Sequence, residues 1–219
     1  MVGRTAPFRC SRRAEGGLWS AAAPLVLASR SSSRRALLTA AGLSPEVMAT
    51  DVDERTLEQN HLAGGGSLEN LASRLAMEKA LVASARRPGA YCLGADQTLI
   101  VEGRVLHKSA DLAEAARSLA ALQGRTHCLI SAFCVARWGQ AMVVEADHAD
   151  LTMRPLDANA IARYLDLAGM SALLSVGVYR IEGFGLHLFD RIDGDFATIL
   201  GIPMLKFLAW LRRENLISL

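Results

Sequence analysis

Four groups of polar residues interrupt otherwise apolar stretches of the chain. Ser29, Ser31, Arg34 and Arg35 fall in "ASRSSSRR", between a short apolar run and a helical pattern. Asp51, Asp53 and Glu54 form the acidic stretch "DVDE". Lys79 lies inside "RLAMEKALVA", and Asp96, Gln97 and Lys108 flank the turn of "GADQTLIVEGRVLHK". Each group has an ordinary explanation when taken alone. Adjacent arginines commonly form a solvated helix face, "DVDE" can cap a following helix, and Lys79 beside Glu78 can be a surface pair. Asp96 is harder to set aside, because a carboxylate following "YCLGA" is costly to bury without a partner. Gly94 just before it admits a close approach by backbone or ligand.

Taken together, the groups suit the hydrolysis of a phosphoanhydride. That reaction needs cations for the phosphate oxygens, carboxylates for a divalent metal, and a group that orients or deprotonates water. The arginine fork pairs two hydrogen bonds with phosphate, and lysine acts as a movable point charge. Magnesium prefers one or two carboxylates completed by water and the substrate's own phosphates.

These residues must be held by an α/β framework. "PLVLAS" (24–29) reads as a buried strand. A polar loop follows, then a helix with Leu37, Leu38 and Ala41 at helical spacing, stopped by Gly42. Free N–H groups at such a helix start attract phosphate. "SPEVMATDVDE" reads as a strand ending in acids, and "HLAGGGS" as a flexible loop. From Ser67 a long amphipathic helix is predicted, with Leu68, Leu71, Leu75 and Ala76 on one side and Met77, Leu81 and Val82 extending the stripe. Next come a strand broken by polar residues, a turn at Glu102-Gly103 and a return strand. A helix follows from Ser109 or Asp111 to Gly124, then a hairpin across Trp138-Gly139-Gln140. A further helix over "LDANAIARYLDLA", short strands and a final helix complete the pattern. Helices alternating with strands predict an α/β fold with a mixed sheet and a cleft between two lobes.

Composition narrows the class. Of 219 residues, 51% are hydrophobic and 21% charged, so most of the chain can bury a core. A net charge of +2 argues against a stable nucleic-acid partner. No run of about 18 apolar residues marks a membrane span. Cys10, Cys92, Cys128 and Cys134 form no CxxC pair, so they read as free thiols of a reducing compartment, and a cytoplasmic location is expected. Residues 1–23 have Glu15 as their only acid and lack the continuous apolar core of a secretory signal. They read as a disordered extension ahead of a single domain over 24–219. A homodimer is compatible with a chain of this size, although no residue marks an interface.

The chain resembles the Maf nucleotide pyrophosphatases over residues 24 to about 215. "LASRSSSRRALLTAAGL", "DVDE", "RLAMEKA", "GADQTLIVEGRVLHK", "LQGRTH", "RPLDANAIARYL", "YRIEGFG", "DRIDGD" and "ILGIPM" follow the family's motifs in order. The resemblance implies an elongated mixed sheet flanked by helices, with two lobes around a central cleft. It also implies hydrolysis of a nucleoside triphosphate to the monophosphate and pyrophosphate with Mg²⁺ or Mn²⁺, a house-cleaning activity against modified nucleotides. Carried over by position, Arg34 binds phosphate, with Ser29, Ser31 and Arg35 in the same loop. Glu54 and Asp96 serve metal and water, Lys79 and Lys108 neutralise the triphosphate, and Asp96 is the general base. Gln97, in "ADQT", and Glu182, in "IEGFG", resemble the branch acting on 7-methyl-GTP. The branch acting on dTTP and UTP carries "ADT" and "IQGLG". A carboxylate at 182 can accept from guanine N1–H and its amino group, a pair of donors that a pyrimidine edge lacks.

The chain departs from the family pattern at four places. Ser32 replaces the usual proline, Ser33 stands where many members carry the first arginine, and Ser109 replaces the proline after Lys108. Leu174 or Ser175 occupies the region of a usual acid. These departures keep two alternatives open: a dTTP/UTP pyrophosphatase, or a non-catalytic nucleotide-binding regulator of cell division.

Overall fold

The computed structural model describes residues 17–219. Strand β1 (Leu25–Ala28) leads into helix α1 (Ser32–Ala40) and the short β2 (Glu46–Val47). Helices α2 (Glu54–Ala63) and α3 (Leu68–Arg86) precede the hairpin of β3 (Tyr91–Val101) and β4 (Arg104–Leu106). Helix α4 (Leu112–Leu122) is followed by the long hairpin β5 (Thr126–Arg137) and β6 (Gln140–Met153). Helix α5 (Ala158–Ala168), 3-10 turns at Gly169–Leu174 and Phe184–Leu188, β7 (Phe189–Asp193), α6 (Phe196–Ile199) and α7 (Met204–Arg213) complete the chain.

The strands form one mixed sheet in the order β2-β1-β3-β5-β6-β7, with β4 added beside β3. β1 runs parallel to both β2 and β3, and the remaining pairs are antiparallel. β5 and β6 have 12 and 14 residues, which makes the sheet long in the strand direction. The expected elongated mixed α/β sheet is therefore present.

Alternation along the central strands creates two cores on one face. Tyr91, Leu93 and Ala95 of β3, with Phe133 and Val135 of β5, pack against Phe207, Trp210 and Leu211 of α7. Further along the same strands, Leu99 and Leu129 join Leu119, Leu151, Tyr164 and Ile181 in a second core. Gln97 and Ser131 fall between the two, where side-chain period 2 places them on the same face. The opposite face carries small residues. Ala72, Ala76 and Ala80 of α3 lie against Ala132, Cys134 and Ala136. A Cβ at Gly94 would stand 2.6 Å from the Ala80 backbone nitrogen, so only glycine lets α3 come this close to β3.

Strand register opens the cleft. β1 pairs with β3 only as far as Ala28 opposite Gly94, and β4 begins only at Leu99 opposite Leu106. Residues 95–98 of β3 therefore have no partner strand on that side, while β5 supports them on the other. The gap lies at the carboxyl end of β1, where α/β sheets commonly place ligands.

Three expectations need correction. "DVDE" does not end a strand: only Glu46–Val47 pairs, and Asp53 caps α2 by accepting from the Thr56 N–H at 3.1 Å. "HLA" of the expected loop is the last turn of α2. Part of the predicted extension over 1–23 falls outside the described residues, but Leu18, Trp19, Ala21 and Ala23 pack on the core. Trp19 bridges Ile217 and sets its ring edge-on to Tyr91, because these apolar groups cover the end of the α7 layer. Among the described residues, no helix is long and apolar enough to cross a membrane, and Cys92, Cys128 and Cys134 are free.

Candidate active site

Arg34 is placed by the first turn of α1. Ser31 caps this helix, its hydroxyl accepting from the Arg34 N–H at 3.3 Å. Ser32 starts the helix directly after that cap, so the chain enters α1 in order without the proline's fixed φ. The Arg34 guanidinium donates from Nε to Gly201 O at 3.0 Å and from one terminal nitrogen to Ser29 Oγ at 3.3 Å. Its other terminal nitrogen stands 3.7 Å from Asp96 Oδ1. Burial lowers its pKa, while Asp96 and then Glu54 raise it in part.

Lys79 does not form the surface pair with Glu78, which binds Arg74 instead. Its position follows the buried stripe of Ala72, Ala76, Ala80 and Ala83 along α3. From there Nζ reaches Asp96 Oδ1 at 3.1 Å and Glu54 Oε1 at 2.6 Å. Asp96 is 7% exposed, so the β3 carboxylate is buried with two cations beside it. Burial tends to raise the Glu54 pKa, but Lys79 first, then Lys108 and Arg34, outweigh it and leave it lowered. Of the three acids in "DVDE", only Glu54 enters the cleft: Asp53 is spent on the α2 cap and Asp51 pairs with Arg86.

Lys108 enters from the loop after β4. Burial holds its ammonium below the usual value and Arg34 adds to this, with Glu54 and Asp96 opposing. A bound anion would relieve that crowding of positive charge. Ser109 turns inward, its hydroxyl 3.1 Å from Ser118 Oγ of α4, and so ties the lysine-bearing loop down.

Gln97 projects into the same gap. Its Nε2 donates to Ile199 O and Ser131 Oγ at 2.9 Å each and to Thr198 O at 3.2 Å. With the amide nitrogen committed, Oε1 is the group left to accept from a ligand. Across the cleft, Glu182 Oε1 accepts from Arg180 at 3.1 and 3.0 Å, and Ser33 Oγ lies 3.5 Å away. This wall has an outlier in its backbone. Val178 has φ 69°, a conformation that strains a β-branched residue by roughly 1–3 kcal/mol. A cleft of about 570 Å³ joins these groups, within the range of small-ligand sites.

The chain matches the Maf-like protein family over residues 24–214. It belongs to the Maf family. A protein of Nitrobacter winogradskyi named nucleoside triphosphate pyrophosphatase is 47% identical over 92% of this chain and 99% of its own. One of Mesorhizobium japonicum named 7-methyl-GTP pyrophosphatase is 49% identical over 86% and 94%. A third, from Brucella abortus and also named 7-methyl-GTP pyrophosphatase, is 45% identical over 89% and 98%. A solved dITP/XTP pyrophosphatase of Mycobacterium abscessus is 21% identical over 59% of this chain and 72% of its own, with a TM-score of 0.37.

The Maf cleft thus gathers Ser29, Ser31, Arg34, Glu54, Lys79 and Asp96 with Gln97, Lys108 and Glu182. Arg35 stands apart. It lies one helical step from Arg34 and lines a separate shallow depression with Ala36, Thr39 and Val47. Arg30, Arg55 and Arg180 also line the cleft without having been singled out from the sequence. Arg180 had a signal in the alternation of Tyr179 and Ile181, both buried, with Arg180 and Glu182, both turned outward. Arg30 and Arg55 carry no such pattern. No cluster of three or more metal-ligating side chains occurs among the described residues. Glu54 and Asp96, bridged by Lys79, supply two carboxylates, which fits a magnesium site completed by water and substrate phosphates.

Proposed function

We propose that this Maf-family chain hydrolyses a nucleoside triphosphate to the monophosphate and pyrophosphate, with 7-methyl-GTP as the preferred substrate class. The observation that carries the reading is the ion-paired Arg34–Asp96–Lys79–Glu54 constellation at an opening in the sheet, with Asp96 and Lys79 buried and Glu54 at its exposed rim. Its relatives' names agree in reaction, and relatives named for 7-methyl-GTP are 45% and 49% identical to it.

In this reading the triphosphate lies along the gap in β3. Arg34, at the start of α1, and Lys108 hold its phosphate oxygens, and the free N–H groups of the helix start add to them. Asp96 Oδ1 is committed to Lys79 and Arg34, so the carboxylate is fixed in place. Its other oxygen takes a proton from the attacking water, which forms a new P–O bond as the α–β anhydride breaks and pyrophosphate leaves. Mg²⁺ or Mn²⁺ held by Glu54 and Asp96 would offset the charge on the departing phosphates. A pre-placed cation pair and carboxylate need no rearrangement as charge develops.

The base end rests on Gln97 Oε1 and Glu182. Glu182 Oε1 is engaged by Arg180, which leaves Oε2 to accept from a guanine edge. The nearby carboxylate also favours the positive charge of a methylated ring. Removal of modified nucleotides in the cytoplasm is the setting this specificity suits. A screen of canonical and methylated nucleoside triphosphates, read by pyrophosphate release with Mg²⁺ or Mn²⁺, tests the reading. Highest kcat/KM on 7-methyl-GTP is expected. Preference for dTTP or UTP would move the chain to the other branch, and tight binding without pyrophosphate release would make it a regulator.

A further inference from the structure

His127 lies in β5, 2% exposed, and takes no part in the phosphate chemistry described above. Its Nε2 is 2.7 Å from the hydroxyl of Tyr179, and its Nδ1 has no hydrogen-bond partner. Tyr179 is 3% exposed, with its ring edge-on to Phe189 at 4.8 Å. Two further bonds hold the same short stretch. Tyr164 of α5 donates to Val178 O at 3.0 Å, and Ser175 Oγ donates to Tyr179 O at 2.6 Å. The backbone they grip is the strained one, with Val178 at φ 69°, next to Gly177, which takes φ 76° without strain. A Cβ on Gly177 would come within 2.5 Å of the Tyr179 ring.

The chain continues directly into the base wall. Arg180 O accepts from the N–H groups of Gly183 and Gly185 at 3.1 and 3.0 Å, which folds the turn that carries Glu182. Tyr179 and Ile181 point inward, and Arg180 and Glu182 point outward to the cleft. Strain that persists in a backbone needs surroundings that over-determine it. Here the surroundings are three bonds from β5, α5 and the preceding turn. All of them act on Val178 and Tyr179, four and three positions ahead of Glu182.

We propose that His127 and Tyr179 are positioning residues that lock the strained 175–182 segment, so that Glu182 and Arg180 present a fixed polar edge to the nucleobase. The proposal rests on the reading of the cleft as a nucleotide site and adds the device that sets its base discrimination. The phosphate grip stands on other elements and does not depend on this lock.

The test measures binding of inorganic tripolyphosphate and of the α,β-methylene analogue of 7-methyl-GTP. The proteins are wild type, Tyr179→Phe, and the double variant His127→Phe with Tyr179→Phe. The single variant removes one hydroxyl, and the double variant removes both polar partners, which restores stability because no buried group is left unpaired. Both variants are expected to bind the nucleotide analogue about tenfold more weakly. Tripolyphosphate affinity is expected to stay within about twofold of wild type, since no phosphate contact is removed. Undiminished nucleotide affinity in a folded double variant, or equal loss for both ligands, overturns the positioning role. A wild-type protein that binds tripolyphosphate but not the analogue overturns the nucleotide reading itself, and the lock with it.

Discussion

On one side of the cleft, Arg34, Lys79 and Asp96 stand on α1, α3 and β3, and their charged groups bind one another. On the other, Arg180 and Glu182 stand between two 3-10 turns, on backbone with no regular repeat. The proposed phosphate side is fixed by helix and strand geometry and by close packing of α3 on Gly94. The proposed base side is fixed by side chains that clamp a strained segment. The contrast fits the two tasks proposed for these sides. A triphosphate is the same in every substrate and suits a rigid charged cradle. A base differs between substrates, and irregular backbone can be reset with few changes to the core.

Three substitutions can break or sharpen this contrast. Asp96→Asn keeps shape but removes the proton acceptor, and turnover should fall roughly 10²- to 10⁴-fold on every triphosphate alike. A loss confined to one base, or an unchanged pyrophosphate release rate, would remove Asp96 from the mechanism. The second acts on the base side through stability. Burial lowers the His127 pKa from 6.5 to about 4, with Asp150 opposing. Between these values the unfolded chain binds a proton that the folded chain refuses, so stability falls as pH drops through the window. The share from this residue is roughly 2–3 kcal/mol between pH 7 and 4.5. His127→Gln should lose that share of the slope in urea unfolding, and equal slopes would contradict a buried neutral imidazole. Smallest is Glu182→Gln, which keeps one acceptor but loses the charge. It should lower kcat/KM for 7-methyl-GTP about tenfold relative to UTP. A uniform change across bases would place Glu182 outside base recognition.

How much of this was legible in the sequence differs between the two sides. The β1–α1 loop could be read because serines beside an apolar run cap helices, and Ser31 does so. Lys79 was found, although its partners Asp96 and Glu54 stand on other elements. The buried side of α3 carries Leu71, Leu75 and Ala76 as expected and continues through Ala72, Ala80 and Ala83, while the larger Met77, Leu81 and Val82 lie only partly buried. Helix α2 gave no signal because none of its residues is buried, so no apolar period exists to read. Residue type alone did not separate Asp51 and Asp53 from Glu54, which the family resemblance singled out, and the cap at Asp53 and the first-turn position of Glu54 supply the physical reason. The resemblance likewise gave phosphate to Arg34 but kept Arg35 in the same substrate loop, and the helix turns Arg34 inward and Arg35 away. The base wall was reached through the motif around Glu182, but not its support. The His127–Tyr179 contact joins residues 52 positions apart, and no local pattern encodes it.

The central claim is that charges from α1, α2, α3, β3 and the loop after β4 converge to grip a polyphosphate. It is tested most directly by comparing the affinity of 7-methylguanosine monophosphate with that of the α,β-methylene triphosphate of the same base. Each added phosphate gains charge-assisted hydrogen bonds, so the triphosphate should bind at least about 100-fold more tightly. Equal affinity for the two would mean that the converged charges hold only one another, and the account would fail.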